Sequence, residues 1–153
     1  HHLPLLFSLA HGNVLELGTR SGVSTAALLA GVERHGGLVV SVDIEDCSQV
    51  AAGHPQWAFW KGASTDENMA QDIATYSGPF SLILIDTEHT FGQSTAELAL
   101  WGPHIKPGGV ICMHDTETFP GVRRAAQEFA DKHGWPITFV LPCHGMAVIR
   151  RPE

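Results

Sequence analysis

Two clusters in this chain have the residue types and spacing to do chemistry. The first is Val14-Leu-Glu-Leu-Gly-Thr-Arg-Ser-Gly22, an apolar run that opens into a loop carrying one carboxylate, Glu16, and two glycines, Gly18 and Gly22. A strand turning directly into a helix leaves free backbone N–H groups at the helix start. Glycines there let a ligand approach that backbone without a Cβ in the way. The loop does not match the phosphate-binding patterns. Gly22 is followed by Val23-Ser24 rather than Lys-Ser/Thr, and Arg20 stands where a dinucleotide fingerprint needs its middle glycine. Glu16 would repel a pyrophosphate and attract a cation, such as a ligand with an α-ammonium and a sulfonium. Asp43 ends the next apolar run, about 20 residues on, where an acid can accept hydrogen bonds from ribose hydroxyls. The plain alternative is a tight turn and a capped loop. All three features standing in register with strand ends favours a ligand.

The second cluster is Asp86-Thr-Glu-His89 together with His114-Asp115. Asp86 follows the continuous apolar run Phe80 to Ile85, and His114-Asp115 follow Val110 to Met113. Two acids and an imidazole at neighbouring strand ends can serve a substrate in two ways. Asp86, His114 and Asp115 can hold a divalent cation that lowers the pKa of a hydroxyl. Alternatively, His114 or His89 can act as a general base without metal. Glu88 is a further candidate on the same loop. His144, in a turn near the end, can face the same space, although turn histidines are usually just solvated.

The elements that must position these residues alternate in type. Leu3 to Ala10 reads as a helix end, Asn13 to Leu17 as a strand, Val23 to about Glu33 as a helix and Leu38 to Val42 as a strand. Trp57 to Trp60 is a weaker strand. Ser64-Thr-Asp-Glu67 fits a capping box with Ser64 as N-cap, opening a helix to about Tyr76. Phe80 to Ile85 suits a strand buried on both faces. A helix is expected from about Ser94 to His104, with Lys106-Pro-Gly-Gly109 as the turn into strand Val110 to Met113. Pro120 opens the next helix and Lys132-His-Gly134 closes it. Ile137 to Leu141 and Met146 to Arg150 are joined by a short loop and should form an antiparallel hairpin. Strand–helix alternation predicts an α/β fold, a doubly wound and mostly parallel sheet ending in that hairpin. Trp101 is expected in the core, while Phe91 and Phe119 are expected to line an acceptor pocket.

At 153 residues the chain is read as one domain, 1–153. It begins His1-His2 without Met, which looks like a fragment or a trimmed tag, and no function is given to those two histidines. A net charge of −7 with no basic run argues against nucleic acid as a partner. No apolar stretch reaches the roughly 20 residues of a membrane span, so no membrane partner is expected. Cys47, Cys112 and Cys143 are widely separated and lack a CxxC pairing, which points to a reducing cytoplasm rather than a disulfide framework. Cys112 reads as a small core residue. A homo-oligomer is left open.

Glu16-Leu-Gly-Thr-Arg-Ser-Gly22 resembles the first motif of class I S-adenosylmethionine-dependent methyltransferases. Phe80 to Asp86 with Thr87-Glu-His89, and Leu98 to Asp115 with its Lys-Pro-Gly-Gly turn, look like later motifs of that Rossmann-like fold. The closing hairpin is similar to its reversed last strand, so the resemblance covers nearly the whole chain. Asp-x-x-His at 86–89 and His-Asp at 114–115 look more like a bacterial subgroup related to small-molecule O-methyltransferases than like DNA or protein methylators. The resemblance implies that Glu16, Gly18, Thr19, Arg20, Ser21 and Gly22 hold the methionine part of S-adenosylmethionine. It implies Asp43 for the ribose and Gly62, Ala63 and Ser64 for the adenine border, with Asp86 shared between cofactor and catalysis. Asp86, His89, His114 and Asp115 are the catalytic candidates. Metal-dependent relatives similarly use an Asp after strand four and an acidic or Asp-Asn pair after strand five. His114-Asp115 departs from that pair, since imidazole suits manganese, iron or zinc better than magnesium.

The expected activity is methyl transfer from S-adenosylmethionine to a hydroxyl of a small molecule, such as a sugar or secondary metabolite. DNA amine methylation is disfavoured because Ile85-Asp-Thr-Glu is not an Asn/Asp-Pro-Pro-aromatic run. Two rivals stand beside this reading. One is a non-catalytic S-adenosylmethionine-binding module that needs a partner subunit, supported by the little chain preceding strand one. The other is an NAD-dependent oxidoreductase, which Glu16 and the missing middle glycine oppose.

Overall fold

The computed structural model describes residues 2–153. The elements run α1 (Leu3–Leu9), β1 (Gly12–Leu17), α2 (Val23–His35), β2 (Gly37–Asp43), β3 (Trp57–Lys61), α3 (Glu67–Ser77) and β4 (Phe80–Ile85). They continue through α4 (Phe91–Trp101), a 3₁₀ turn (Gly102–His104), β5 (Ile105–His114), α5 (Pro120–His133), β6 (Ile137–Val140) and β7 (Met146–Arg150). One seven-stranded sheet has the order β3-β2-β1-β4-β5-β7-β6. β1 to β5 are parallel, and β7 runs antiparallel to both β5 and β6. This is the Rossmann-like architecture with a reversed C-terminal hairpin.

Alternation along each strand sorts the core to two faces. Leu82 and Leu84 pack on the side of α1 and α2, with Leu6, Leu28 and Val32. Ile83 and Ile85 pack on the other side, where α3, α4 and α5 contribute Ile73, Leu98, Trp101 and Ala126. β4 is buried at every position, as its unbroken apolar run requires. Trp101 is 1% exposed, and its indole N–H donates to the Ser64 carbonyl at 2.7 Å. Removing that ring would cost about 3–5 kcal/mol.

The strand order reverses between β1 and β4. Open α/β sheets leave a crevice beyond the carboxyl ends of the strands at such a switch. Gly18 and Asp86 flank it, and the Asp86 amide donates to the Leu17 carbonyl at 2.9 Å. Gly18 has φ +94°, and a Cβ there would stand 2.0 Å from the Asp86 carbonyl oxygen. Only glycine fits that approach.

Three local expectations are corrected. Ser64 does not cap α3; the Asp66 carboxylate does, accepting from the Asn68 and Met69 amides, because the Ser64 hydroxyl is committed elsewhere. α4 starts three residues earlier than the sequence suggests, at Phe91, because Thr90 caps it by accepting from the Gln93 amide. Lys106 to Gly109 is not a turn before β5 but an irregular stretch within it, at the register shift between Phe80 and Leu82. The chain's last residues supply the reason, since the Arg151 and Pro152 carbonyls accept from the Gly108 amide.

Candidate active site

The glycine loop is held from below and from the side. Glu16 is fully buried, and its carboxylate accepts hydroxyls from Ser24 (2.6 Å), Thr25 (2.7 Å) and Ser41 (2.6 Å). The Trp57 indole N–H in turn donates to the Ser41 hydroxyl oxygen at 2.9 Å. Burial pushes the Glu16 pKa above its ordinary value, while the three hydroxyls pull against it. The expectation that Glu16 meets a cationic ligand is therefore corrected. Alternation along β1 turns it into the interior, where it ties the first turn of α2 to β1 and β2. Asp43 supports the loop from the side. Its Oδ2 accepts from the Thr19 (2.9 Å) and Arg20 (3.0 Å) amides, and Oδ1 accepts from Glu45 (2.9 Å). Burial opposes ionisation of Asp43, but these backbone N–H groups hold its pKa below the ordinary value. Arg20, in the place of a middle glycine, adopts φ +46° to complete the turn. Gly22, at φ +80°, precedes α2 without any side-chain cap. The loop-side start of α2 thus keeps unpaired donors of the kind that recognise ligands.

Above the sheet edge lies a cavity of about 1190 Å³. Gly18, Thr19, Arg20 and Ser21 line one wall with Asp43, and Gly62, Ala63 and Ser64 line another. Asp86 and His114 close the far end. Glu16, Gly22, His89 and Asp115 are not in the lining. Ile44 and Gln93 are, and sequence reasoning missed both. Ile44 is 71% exposed, a large apolar side chain directly after Asp43. Its position next to a ribose-type acid was the available signal. Gln93 carried none, because its orientation depends on residues distant in sequence.

At the far end the catalytic candidates converge. His89 Nε2 is 2.8 Å from Asp115 Oδ2 and 3.4 Å from Asp86 Oδ1. Its ring stacks on Phe119 at 4.4 Å and 10°. His114 Nδ1 lies 2.9 Å from Asp115 Oδ1 and 3.8 Å from Asp86 Oδ2. Despite the short distance that buried nitrogen makes no hydrogen bond of good geometry. Asp115 sits at φ +64°, a left-handed conformation that a non-glycine residue adopts at a cost of about 1–3 kcal/mol. His144 lines the cavity too, with Nδ1 3.0 Å from the Thr118 hydroxyl, and so does Glu88.

Residues 15–116 match a family described as a methyltransferase domain. The chain belongs to this methyltransferase family. Demethylmacrocin O-methyltransferase of Streptomyces fradiae is 29% identical over 89 residues, which is 57% of this chain and 22% of that protein. MycE methyltransferase from the mycinamycin biosynthetic pathway, solved with Mg and SAH, superposes with TM-score 0.71 at 19% identity. That match covers 94% of this chain and 46% of the other. The O-methyltransferase from Bacillus cereus in complex with SAH gives TM-score 0.79 at 20% identity, covering 97% of this chain and 78% of that one. These structural likenesses establish the fold. The chain thus spans less than half the length of the curated relative and of MycE.

Within this methyltransferase domain the cavity suits the cofactor the family name implies. Gly18 to Ser21 present loop backbone to the cavity, and Asp43 and Ile44 offer a carboxylate and an apolar surface side by side. The residues also fit a divalent cation. One donor atom each from Asp86, His114 and Asp115 lies within 4.8 Å of the others. The buried His114 Nδ1 makes no hydrogen bond of good geometry, which leaves it able to serve as such a donor. The expected pocket placement of Phe91 and Phe119 does not hold. Phe91 lies under the Arg124 guanidinium, 3.5 Å from ring centre to Cζ, and Phe119 under His89, and neither is in the cavity lining. Phe91, at the start of α4, packs against α5, and Phe119, just before α5, packs against the loop that precedes α4. His2, given no function from sequence, is buried with its ring edge-on to His114 at 5.1 Å; His1 lies outside the described residues.

Proposed function

We propose that this domain transfers a methyl group from S-adenosylmethionine to a hydroxyl of a small molecule. The observation carrying the reading is that one cavity holds a glycine-loop end and a His/Asp end, with Asp86 at their junction. S-adenosylmethionine supplies a methyl group on a sulfonium that is already a good leaving group. The protein's work is therefore alignment for in-line attack and removal of the acceptor's proton. Gly18 to Ser21 and Asp43 fix the cofactor end. Asp86, His114 and Asp115 would hold a divalent cation, which would lower the pKa of the acceptor hydroxyl. In the alternative without a cation, His89 or His114 would take the proton.

The names of the relatives support a secondary-metabolite acceptor: one acts in mycinamycin biosynthesis and another is called a demethylmacrocin O-methyltransferase. A cytoplasmic setting fits the buried Cys47 and Cys112, and the net charge of −7 disfavours a nucleic-acid acceptor. Among the described residues no helix is long and apolar enough to cross a membrane.

Calorimetric titration tests the reading. S-adenosylhomocysteine is expected to bind saturably and NAD not at all, and binding of NAD alone would overturn it. Manganese is expected to bind the wild type and not Asp115→Ala. Turnover that ignores both a chelator and that substitution removes the cation from the mechanism.

A further inference from the structure

A second buried acid lies outside the chemistry described above. Glu97, on α4, is 0% exposed, and one oxygen, Oε1, receives three donors. These are the Ser64 hydroxyl at 2.5 Å, the Thr87 hydroxyl at 2.6 Å and the Gln93 amide nitrogen at 3.0 Å. The other oxygen, Oε2, is buried with no hydrogen-bond partner. The three donors come from the loop after β3, the loop after β4 and the first turn of α4, and all three residues line the cavity. Leaving a buried carboxylate half satisfied costs stability, so a fold that keeps one uses it to hold something.

What it holds is the direction of an amide. Gln93 Nε2 donates to the Ser64 hydroxyl oxygen and to Glu97 Oε1, both at 3.0 Å. The Ser64 hydroxyl spends its proton on Glu97, so it presents only lone pairs to Gln93. Turning the Gln93 amide over would set its carbonyl oxygen against two acceptors. The nitrogen end is therefore fixed inward, and the carbonyl oxygen is left without a protein donor on a side chain that lines the cavity. The amide group stands against Ser64, on the wall that the family resemblance assigns to the adenine border. A fixed carbonyl accepts from an amine and repels another carbonyl.

We propose that Gln93 recognises the exocyclic amine of the cofactor's adenine, and that Glu97 is the positioning residue that keeps the Gln93 carbonyl turned toward it. The inference rests on the proposed use of an adenosyl cofactor. It adds base selection, against a purine carrying a carbonyl at the same position, as in hypoxanthine or guanine.

The test is calorimetric binding of S-adenosylhomocysteine and S-inosylhomocysteine, which differ at the C6 substituent and in the proton that the 6-oxo form carries on N1. Wild type is expected to prefer the adenosyl compound by about tenfold or more, the worth of one well-placed hydrogen bond and an avoided repulsion. Gln93→Met, of similar length on a partly buried side chain, is expected to lose that preference by weakening adenosyl binding alone. Glu97→Leu is expected to do the same by freeing the amide to turn, and Glu97→Gln to restore the preference by returning an acceptor. Equal weakening of both ligands in Gln93→Met, or a wild type without preference, overturns the inference while leaving the cofactor reading intact. A wild type that binds neither compound overturns the cofactor reading itself.

Discussion

The two ends of the cavity are built from the same residue types and treat them in opposite ways. At the cofactor end, acids are buried or saturated with donors: Glu16 takes three hydroxyls, Asp43 three backbone amides and Glu97 three side-chain donors on one oxygen. They set the shape of walls. At the acceptor end, Asp86, His89, His114 and Asp115 remain between 16% and 28% exposed and face one another without saturating donors. Acids that each take three donors from the protein hold loops in place. Acids and imidazoles with lone pairs to spare are where a cation or a proton can go.

That contrast breaks first at His89. His89→Gln is expected to lower kcat by about 10²–10⁴-fold, the span of a lost general base, with S-adenosylhomocysteine affinity within about threefold of wild type. Steady-state kinetics with an identified acceptor and a binding titration check the two halves. A variant that loses cofactor affinity as steeply as turnover would show that the two ends are not separable.

Glu16→Ala should do the reverse. Three hydroxyls lose their acceptor, and stability is expected to fall by on the order of 3 kcal/mol, read as a lower urea midpoint at unchanged slope. Kinetic damage should follow the loss of the loop rather than of the chemistry, and saturating S-adenosylhomocysteine should recover part of the midpoint. No change in midpoint would mean the hydroxyl cluster is ornamental.

The smallest effect is in pH dependence, and its sign differs between two acids that support the same loop. Burial raises the Glu16 pKa above 4.5, so between 4.5 and that raised value the folded form holds a proton that the unfolded chain has lost. Its contribution is fully present below about 4.5 and declines as pH rises through the raised value. Asp43 is shifted the other way, below 3.8. Its contribution is present above that value and is lost as pH falls through the lowered one. Urea midpoints followed against pH should therefore show wild type gaining on Glu16→Gln on acidification from neutrality toward 4.5. Against Asp43→Asn, wild type should lose ground only below 3.8. Parallel profiles for the two variants would contradict the assignment of one acid as buried and the other as amide-bound.

Much of this molecule was legible before any coordinates. Periodicity placed every strand, because a run such as Phe80 to Ile85 has no other stable home than the middle of a sheet. The short link between Ile137 to Leu141 and Met146 to Arg150 permits only an antiparallel return. Glycines at 18 and 22 and acids at strand ends pointed to the edge where ligands gather, since strand ends share that edge whenever the sheet is parallel. The sequence also carried Asp86, His89, His114 and Asp115 as one group for the same reason. The direction in which each side chain points was decided by tertiary structure alone. Glu16 looked like a ligand contact because its neighbours in sequence are; strand alternation and the hydroxyls of Ser24, Thr25 and Ser41 turned it inward. Ser64 looked like a helix cap until Glu97, thirty-three residues away, claimed its hydroxyl. Hydrogen bonds are short and directional, so they join residues that sequence separates, and only the packed fold can say which donor meets which acceptor.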